Sequence, residues 1–443
     1  MILERSTKLR FLTVFLFYFT QGVPIGLFFY AIPAWLASNG ASTASIAGVV
    51  SASILPWTMK FFLGFIMDRY TYLPMGRRRI WIIGAQSTIV ASLLVAAVLS
   101  PGSEDIWMLS LLGFLVNSGT AFQDVSIDSL AVDIMHEDER AKATGVMFGG
   151  QVLGISATTF VAGHLIDDYG IIAGYLVAAA VVGCVLLYGV FIREREGERR
   201  VPWSPGEAHP RNVSLQVEAW KPLLVNSAKA MVAPLSLLAL IVFLLRSMPS
   251  GVAEAYHPGL ATNIGGWEQT TYTDTISAAQ FASGVFALTL GGWLVAKIGV
   301  QRSALGMCTL ICLFAIGFGF ARPSWDNGSL LTAYFWQIEF FATMTSVAFI
   351  PIAMRLCDPR VAATQFTLYM AASNVGRPIG NSIAAAADEA GNPQVMYFIV
   401  GGVFVVLALI MLFARFPSKA PEIEEKIEEA QPVHPDEPSP PIN

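Results

Sequence analysis

Stretches of about twenty mostly apolar residues recur along the whole chain, separated by short polar breaks such as Ser38-Asn39-Gly40 and Gly391-Asn392-Pro393. A helix of that length crosses the roughly 30 Å hydrocarbon layer of a membrane. Helices also satisfy their backbone hydrogen bonds internally, as lipid requires. The pattern therefore predicts an all-α, polytopic membrane protein with twelve transmembrane helices. We place them at residues 11–36, 44–67, 80–100, 106–132, 142–166, 170–192, 231–253, 274–296, 302–321, 329–354, 361–386 and 394–415.

The predicted spans form two groups of six. Residues 1–192 hold the first group and residues 231–415 the second, with a polar linker at 193–230 between them. A weak repeat supports the division, because Gly64 to Arg69 ends the second span and Gly292 to Lys297 ends the eighth. Two related bundles predict a pseudo-symmetric carrier with its cavity at their interface. The acidic, proline-rich residues 416–443 predict a disordered tail.

The basic residues indicate orientation. Of the 27 Lys and Arg residues, three lie inside spans and Arg322 lies in a loop on one side. The rest, including Arg77-Arg78-Arg79 and most of the linker, fall on the other side, which the positive-inside rule assigns to the cytoplasm. Both termini are then cytoplasmic.

Composition narrows the functional classes. Charged residues make up 13% of the chain, about half the share usual in soluble domains, and hydrophobic residues make up 54%. We find no nucleophile with a neighbouring base and no group of metal ligands at useful spacing. We therefore predict no enzyme activity, no cofactor, no metal and no nucleic-acid partner. The expected partners are the bilayer, protons and a small-molecule substrate, handled by a monomer.

Three basic residues lie inside predicted spans, where an ionisable group costs about 3 kcal/mol and is retained only with a partner or a task. Lys60 is about 12 Å from the nearer end of its helix. It could bind an anionic substrate or pair with a protonatable carboxylate; a purely structural ion pair is the alternative, and we favour a function. Arg246 and Arg377 are expected in the outer half of the bilayer, facing the cavity.

Three carboxylates accompany these cations. Glu339 could carry a coupling proton or neutralise Arg246 or Arg377. Asp124 and Asp128 are four residues apart and share a helix face. They could form a proton relay, but we prefer an inner gate that pairs with basic residues in one conformation. Neutral side chains that could bond a substrate or a neighbouring helix are Gln21, Gln123, Gln151, Gln365 and Asn374.

Glycines at helical spacing predict close packing of two helices. Gly22 and Gly26 lie in the first span, and Gly145, Gly149 and Gly154 lie in the fifth. Small residues at such spacings let backbones approach and slide.

Several motifs resemble a known family. Gly64-x-x-x-Asp68-Arg69 followed by Gly76-Arg77-Arg78-Arg79 resembles the loop signature between helices two and three of the major facilitator superfamily. Its longer form here is similar to the AmpG-type muropeptide permeases and the related acetyl-CoA transporters. Further matching stretches are Leu55-Pro56 with Lys60-Phe61, Gln123-Asp124-x-x-x-Asp128, and Ala363-Thr364-Gln365-Phe366 with Asn374, Gly376 and Arg377.

The resemblance implies a proton-driven importer of the bacterial inner membrane that works by alternating access. The residues of the loop signature would form a latch that stabilises one conformation: Gly64, Asp68, Arg69, Gly76, Arg77, Arg78 and Arg79. The expected solute is polar and anionic, such as a muropeptide or another peptide-like molecule. A siderophore importer of the same family is the nearest alternative. A pigment-handling or assembly factor with this fold, without transport, is the other.

Overall fold

The computed structural model describes residues 1–135, 137–214, 232–357 and 362–417. Twelve long helical segments account for most of these residues, and we number them α1 to α12. The first six are α1 (Thr7–Ser38), α2 (Thr43–Thr58 continued by Lys60–Arg69), α3 (Arg79–Leu99), α4 (Ile106–Ile134), α5 (Glu137–Tyr169) and α6 (Ile171–Phe191). The other six are α7 (Pro234–Ile264), α8 (Gln269–Ile298), α9 (Val300–Phe320), α10 (Gly328–Leu356), α11 (Ala362–Glu389) and α12 (Gln394–Phe413).

These helices confirm the predicted all-α membrane fold. Ten of them are long and apolar enough to cross a bilayer by length and hydropathy alone. The other two, α2 and α11, are interrupted at Met59 and rich in polar residues, respectively. Both nevertheless occupy the positions predicted for the second and eleventh spans. Outside the helices, the described residues contain one isolated β-bridge, between Ile2 and Arg193.

Several of the described helices contain irregular turns. A π-helical turn, in which one extra residue is inserted, occurs in α1 at Leu27–Ala31, in α7 at Leu260–Ile264 and in α8 at Ala287–Gly291. In addition, α7 is broken at Ser247, between Pro234–Arg246 and Met248–Gly259. Such irregular turns are frequent at functional sites.

Close packing between α1 and α5 follows the predicted glycines. A Cβ atom on Gly154 would lie 2.0 Å from the carbonyl oxygen of Phe19, and one on Gly22 would lie 2.4 Å from that of Gln151. Only glycine permits these backbone contacts. Gly145, by contrast, faces open space. The corresponding contact between α7 and α11 also depends on a glycine, because Gly376 lies against the carbonyl oxygen of Leu244.

The two sides of the membrane can be told apart by their loops. We call the side that carries Arg77–Arg79 the basic side, and the other the acidic side. Gln301 on α9 donates hydrogen bonds of 2.7 Å to the carbonyls of Met411 and Ala414, so α12 also ends on the basic side. The assignment of the basic side to the cytoplasm stays a prediction.

Contacts between the first six helices and the last six run along α2–α11 and α5–α8. On the acidic side, Thr43 donates to Asp388 and Gln269 donates to the carbonyl of Gly163. Nearer the middle of the membrane, Asn381 donates to Ser51 at 2.9 Å, and Asn374 donates to the carbonyl of Trp57 at 2.9 Å. These hydrogen bonds join the two groups from the acidic side to about mid-depth. We call them the acidic-side closure.

The start of the linker folds back on the basic side. Leu3 and Glu4 donate backbone hydrogen bonds to Arg193 and Glu194, so the N-terminal residues and the linker are joined. Within the linker the structure describes a short helix, Pro210–Ser214; residues 215–231 lie outside the described residues. The predicted tail from 418 onward also lies outside them. The bundle and linker boundaries remain predictions.

Candidate functional site

Lys60 lies opposite a carboxylate of the same six-helix group. Its Nζ atom is 3.0 Å from Asp124 on α4, and the two side chains are 13% and 7% exposed. Gln21 on α1 donates to the other oxygen of Asp124 at 2.6 Å. The break at Met59 places Lys60 at the first residue of the second segment of α2. One buried carboxylate thus joins three helices.

Asp128 lies one turn closer to the basic side than Asp124. It accepts a hydrogen bond from the hydroxyl of Tyr18 on α1, and its side chain is exposed. Asp124 and Asp128 therefore share a face, but they have different partners. This geometry fits both hypotheses from the sequence, a relay and a gate.

Arg377 on α11 pairs with Glu254 on α7, a residue that the sequence analysis did not name. Both guanidinium nitrogens Nε and Nη2 donate to the carboxylate, whose side chain is 3% exposed. The Arg377 guanidinium also lies 4.6 Å from the ring centroid of Phe29 on α1. That cation–π contact crosses between the two six-helix groups at the π-helical turn of α1.

Glu339 forms no ion pair with Arg377 in the described part of the chain, although the two charges lie close enough to act on each other. Its roles as a proton carrier or as a counter-charge stay predictions. It lies half-buried on α10 beside Gln280 of α8. Glu339 and Glu254 are both close enough to Tyr30 and Tyr272 to act on them electrostatically. Tyr30 adjoins Phe29, so the same turn of α1 faces both carboxylates.

Arg246 is the last residue of the first segment of α7. Its guanidinium lies 4.8 Å from the ring centroid of Phe243, one turn earlier. The buried Nε atom has no hydrogen-bond partner. Among the described residues no carboxylate forms an ion pair with it.

The neutral side chains bond neighbouring helices. Gln123 donates to the carbonyl of Phe17 and to Thr20 on α1, and Gln365 donates to Ser236 on α7 and to Tyr369. Asn374, in contrast, donates across the acidic-side closure. The Asn374 hydrogen bond therefore links the two groups.

The arginines of the predicted latch bind within the first group and to the linker. Arg77 and Arg78 lie 3.3 and 3.4 Å from Asp133 near the end of α4. Glu194 accepts the backbone N–H groups of all three consecutive arginines, at 2.9, 2.7 and 2.6 Å. The side chains of Asp68 and Arg69, and that of Phe61, lie outside what the structure describes.

Gly76 fits this arrangement. Its φ of +103° is a conformation that favours glycine, and a Cβ there would lie 2.7 Å from the Glu194 carboxylate. Arg79 is 1% exposed and donates to the carbonyls of Gly189, Val190 and Met75. We call this assembly of Arg77–Arg79, Asp133 and Glu194 the linker clasp.

A second buried carboxylate lies behind the clasp. Glu198 accepts hydrogen bonds from the Arg195 backbone at 2.9 Å and from Asn212 at 2.8 Å. Burial, together with the nearby Glu194 charge, raises its pKa from 4.5 to about 7. This linker carboxylate therefore titrates near neutral pH.

The residues that sequence reasoning missed share a cause. Glu254 lies beyond the predicted end of the seventh span, and the polar run that follows it suggested a loop. Asp133 lies just beyond the predicted end of the fourth span and Glu194 lies in the predicted linker, so neither was singled out. The arginine loop was a usable signal for both, because three consecutive buried arginines require acceptors.

Twelve long helices in two groups of six, ten of them long and apolar enough to cross a bilayer, with an ion pair inside each group, define a polytopic membrane protein. The chain belongs to the Major Facilitator Superfamily, whose family model matches residues 11–381. That match covers most of both groups of helices.

Curated relatives are similar over most of their length. The anhydromuropeptide permease of Escherichia coli K12 is 24% identical over 409 residues, which are 90% of this chain and 78% of the relative. The folate-biopterin transporter of Synechocystis is 23% identical over 473 residues, which cover 99% of this chain and 87% of the relative.

Solved structures show the same fold. A POT family transporter in complex with 5-aminolevulinic acid superposes with a TM-score of 0.64 at 12% identity, covering 91% of this chain and 95% of that one. A peptide transporter POT in complex with sulfate superposes with a TM-score of 0.63 at 14% identity, covering 91% of this chain and 93% of that one. These likenesses establish the fold.

Proposed function

We propose that this chain is a proton-coupled importer of a polar, anionic, peptide-like solute such as a muropeptide, located in the bacterial inner membrane. The observation that carries the proposal is the position of its charges. Ionisable side chains from both groups lie at mid-depth, just inside the acidic-side closure. A closure on one side with charged groups behind it is the arrangement expected of one state of an alternating-access carrier.

In this proposal the two ion pairs are the coupling elements. Protonation of Asp124 would release Lys60, and protonation of Glu254 would release Arg377. Because Arg377 also contacts Phe29 on the other group, its release would weaken contact across the interface. Glu339 and Asp128 are the further candidates to carry the proton. The linker clasp would keep the basic-side loop of the first group in one shape while the groups move.

The solute class rests on both relatives and residues. Anhydromuropeptides and folates, the solutes in the relatives' names, both carry carboxylates on amide-linked frameworks. An apolar cargo would give the polar lining of the interface no task, which argues against the pigment-handling alternative. A folate-like solute is the second candidate, because the match to the folate-biopterin transporter extends over 99% of the chain.

The test is uptake by purified protein in proteoliposomes with an imposed proton gradient. We expect radiolabelled anhydromuropeptide to accumulate, and a protonophore to stop the accumulation. Labelled folate is measured in parallel. Glu254→Gln, which keeps the size of the side chain, should abolish gradient-driven accumulation. Failure of wild-type protein to accumulate either compound would contradict the proposal, and accumulation unaffected by the protonophore would contradict its coupling.

A further inference from the structure

The three basic residues inside the membrane differ in how they are neutralised. Lys60 has Asp124, and Arg377 has Glu254. Arg246 has neither a carboxylate in contact nor a partner for its buried Nε in the described part of the chain. Its neighbour on the same face is the ring of Phe243. A guanidinium stays charged at any physiological pH, so Arg246 cannot relieve its isolation by losing a proton.

Arg246 faces the protein rather than the lipid. The buried positions of its helix are Ser236, Ala239, Val242 and Phe243. Arg246 follows them at i+3 and i+4, so it continues the same stripe. The residue is also about 18 Å along the helix from Pro234, too deep for its head group to reach lipid phosphates. A lipid phosphate is therefore too far away to neutralise it.

The break after Arg246 marks where the two groups of helices part. Beyond it, the segment Met248–Gly259 still packs on α11 of its own group but also packs on α2 and α1 of the other group. Before it, Pro234–Arg246 packs mainly on α11, α12 and α10 of its own group. Arg246 thus lies next to the part of α7 that reaches the other group of helices.

Arg246 is half-buried, and an unpaired cation within the membrane interior weakens a protein unless water or a ligand neutralises it. Functional sites are where such a cost is retained. We infer that Arg246 binds an oxyanion of the transported solute, a carboxylate or a phosphate, while Lys60 and Arg377 act through their own carboxylates. The planar guanidinium suits bidentate binding of either group. This inference rests on the proposed function, since it assigns the negative charge of the solute to one residue.

Discrimination between charged and neutral solutes tests the assignment. The probes are labelled anhydromuropeptide with free peptide carboxylates and the same compound with those carboxylates amidated. Wild-type protein should prefer the free acid by at least tenfold in KM. Arg246→Gln should remove that preference and leave proton-driven uptake of the amidated compound. Arg246→Lys, which keeps a positive charge, should restore part of the preference for the free acid. A preference that survives in Arg246→Gln would overturn the inference.

A stability comparison tests the same residue without transport. Arg246→Met removes an unpaired charge, so the melting temperature of the purified protein should stay the same or rise. Arg377→Met leaves Glu254 unpaired and should lower the melting temperature by several degrees. Equal losses in the two variants would show that Arg246 is a structural cation and overturn the inference. If wild-type protein transports neither probe, the proposed function fails, and this comparison still decides whether Arg246 is held without a partner.

Discussion

Asp124 shows how one residue can decide the behaviour of several others. It neutralises Lys60, accepts from Gln21 and lies on the same face as Asp128. Its removal would leave a lysine and an amide without a partner in the membrane interior. The role of Lys60 is then inseparable from that of Asp124, and the two should be tested as a pair.

A double-mutant cycle measures this pair. Lys60→Met leaves Asp124 buried without its cation and should lower the free energy of unfolding by about 3–5 kcal/mol. Adding Asp124→Asn should recover most of the loss, because the pair is then replaced by neutral groups. Unfolding by SDS in mixed micelles provides the measurement. Lys60→Arg is the control that keeps the charge. Additive losses in the double variant would show that the two residues do not interact.

The site residues could be predicted from the sequence only in part. Lys60, Glu339, Arg246 and Arg377 stand out because each is a charge within an apolar run. Their pairing could not be predicted, since it depends on how far each helix is shifted and rotated against its neighbour. Glu254 was missed for a different reason. The polar residues around it are covered by other helices, so hydropathy ends the seventh span at residue 253, before Glu254.

At the scale of elements, the linker clasp joins segments that are distant in sequence. The loop before α3, the end of α4 and the first residues of the linker meet around Glu194, which is fully buried. The clasp makes the basic side of the first group one unit. Its stability should depend on pH, because Glu198 lies against it.

Because of Glu198, the stability of the linker clasp should fall as pH rises. The pKa of its carboxyl in the folded protein is about 7, above the ordinary 4.5, so between these values the folded state keeps a proton that the unfolded linker has released. The contribution of Glu198 to the stability of the folded linker is therefore fully present below about pH 4.5 and is lost as pH rises through 7. Amide hydrogen exchange at residues 193–199, corrected for intrinsic rates, should show opening that increases across this window.

Two carboxyl-to-amide variants make the measurement specific. Glu198→Gln should flatten the pH dependence. Glu196→Gln is the matched control, because Glu196 is 59% exposed and pairs with Arg5 at the surface. An unchanged pH profile in Glu198→Gln would exclude this residue as its source.

The contact between α1 and α5 gives a prediction about packing. Gly154→Ala places a methyl group 2.0 Å from a carbonyl oxygen, so the helices must separate. We expect a loss of at least about 3 kcal/mol, at or above the upper end for overpacked cores. Gly145→Ala on the same helix meets open space and should be neutral or slightly stabilising. Thermal unfolding in detergent compares the two; a stable Gly154→Ala protein would contradict the close approach.

At the scale of the whole molecule, hydropathy predicts the twelve spans well because partitioning between water and lipid acts on each helix separately. The observed ends differ from the predicted ones by a few residues in most helices. The exception is α7, predicted to end at 253 but continuing to Ile264. The side on which the two groups touch could not be predicted, because it is a property of their arrangement and not of any helix.

A cross-link can test whether the acidic-side closure must open during transport. The test protein carries Ser51→Cys and Asn381→Cys, and its four native cysteines are replaced by alanine. The two new cysteines should form a disulfide without added solute, because the native side chains are in contact, with Asn381 Nδ2 2.9 Å from Ser51 Oγ. The oxidised protein should lose uptake and regain it after reduction. Either cysteine alone is the control. Full uptake by the cross-linked protein would contradict an obligatory opening on this side.

The pairing of the N-terminal residues with the linker also has a consequence for biosynthesis. Arg5 and Glu196 are 191 positions apart. At roughly 5–20 residues per second, the ribosome needs about 10–40 s to make the chain between them. The first residues must therefore wait, unpaired, until six helices have entered the membrane. The pairing of Leu3 and Glu4 with Arg193 and Glu194 can therefore form only after the helices between them have been made.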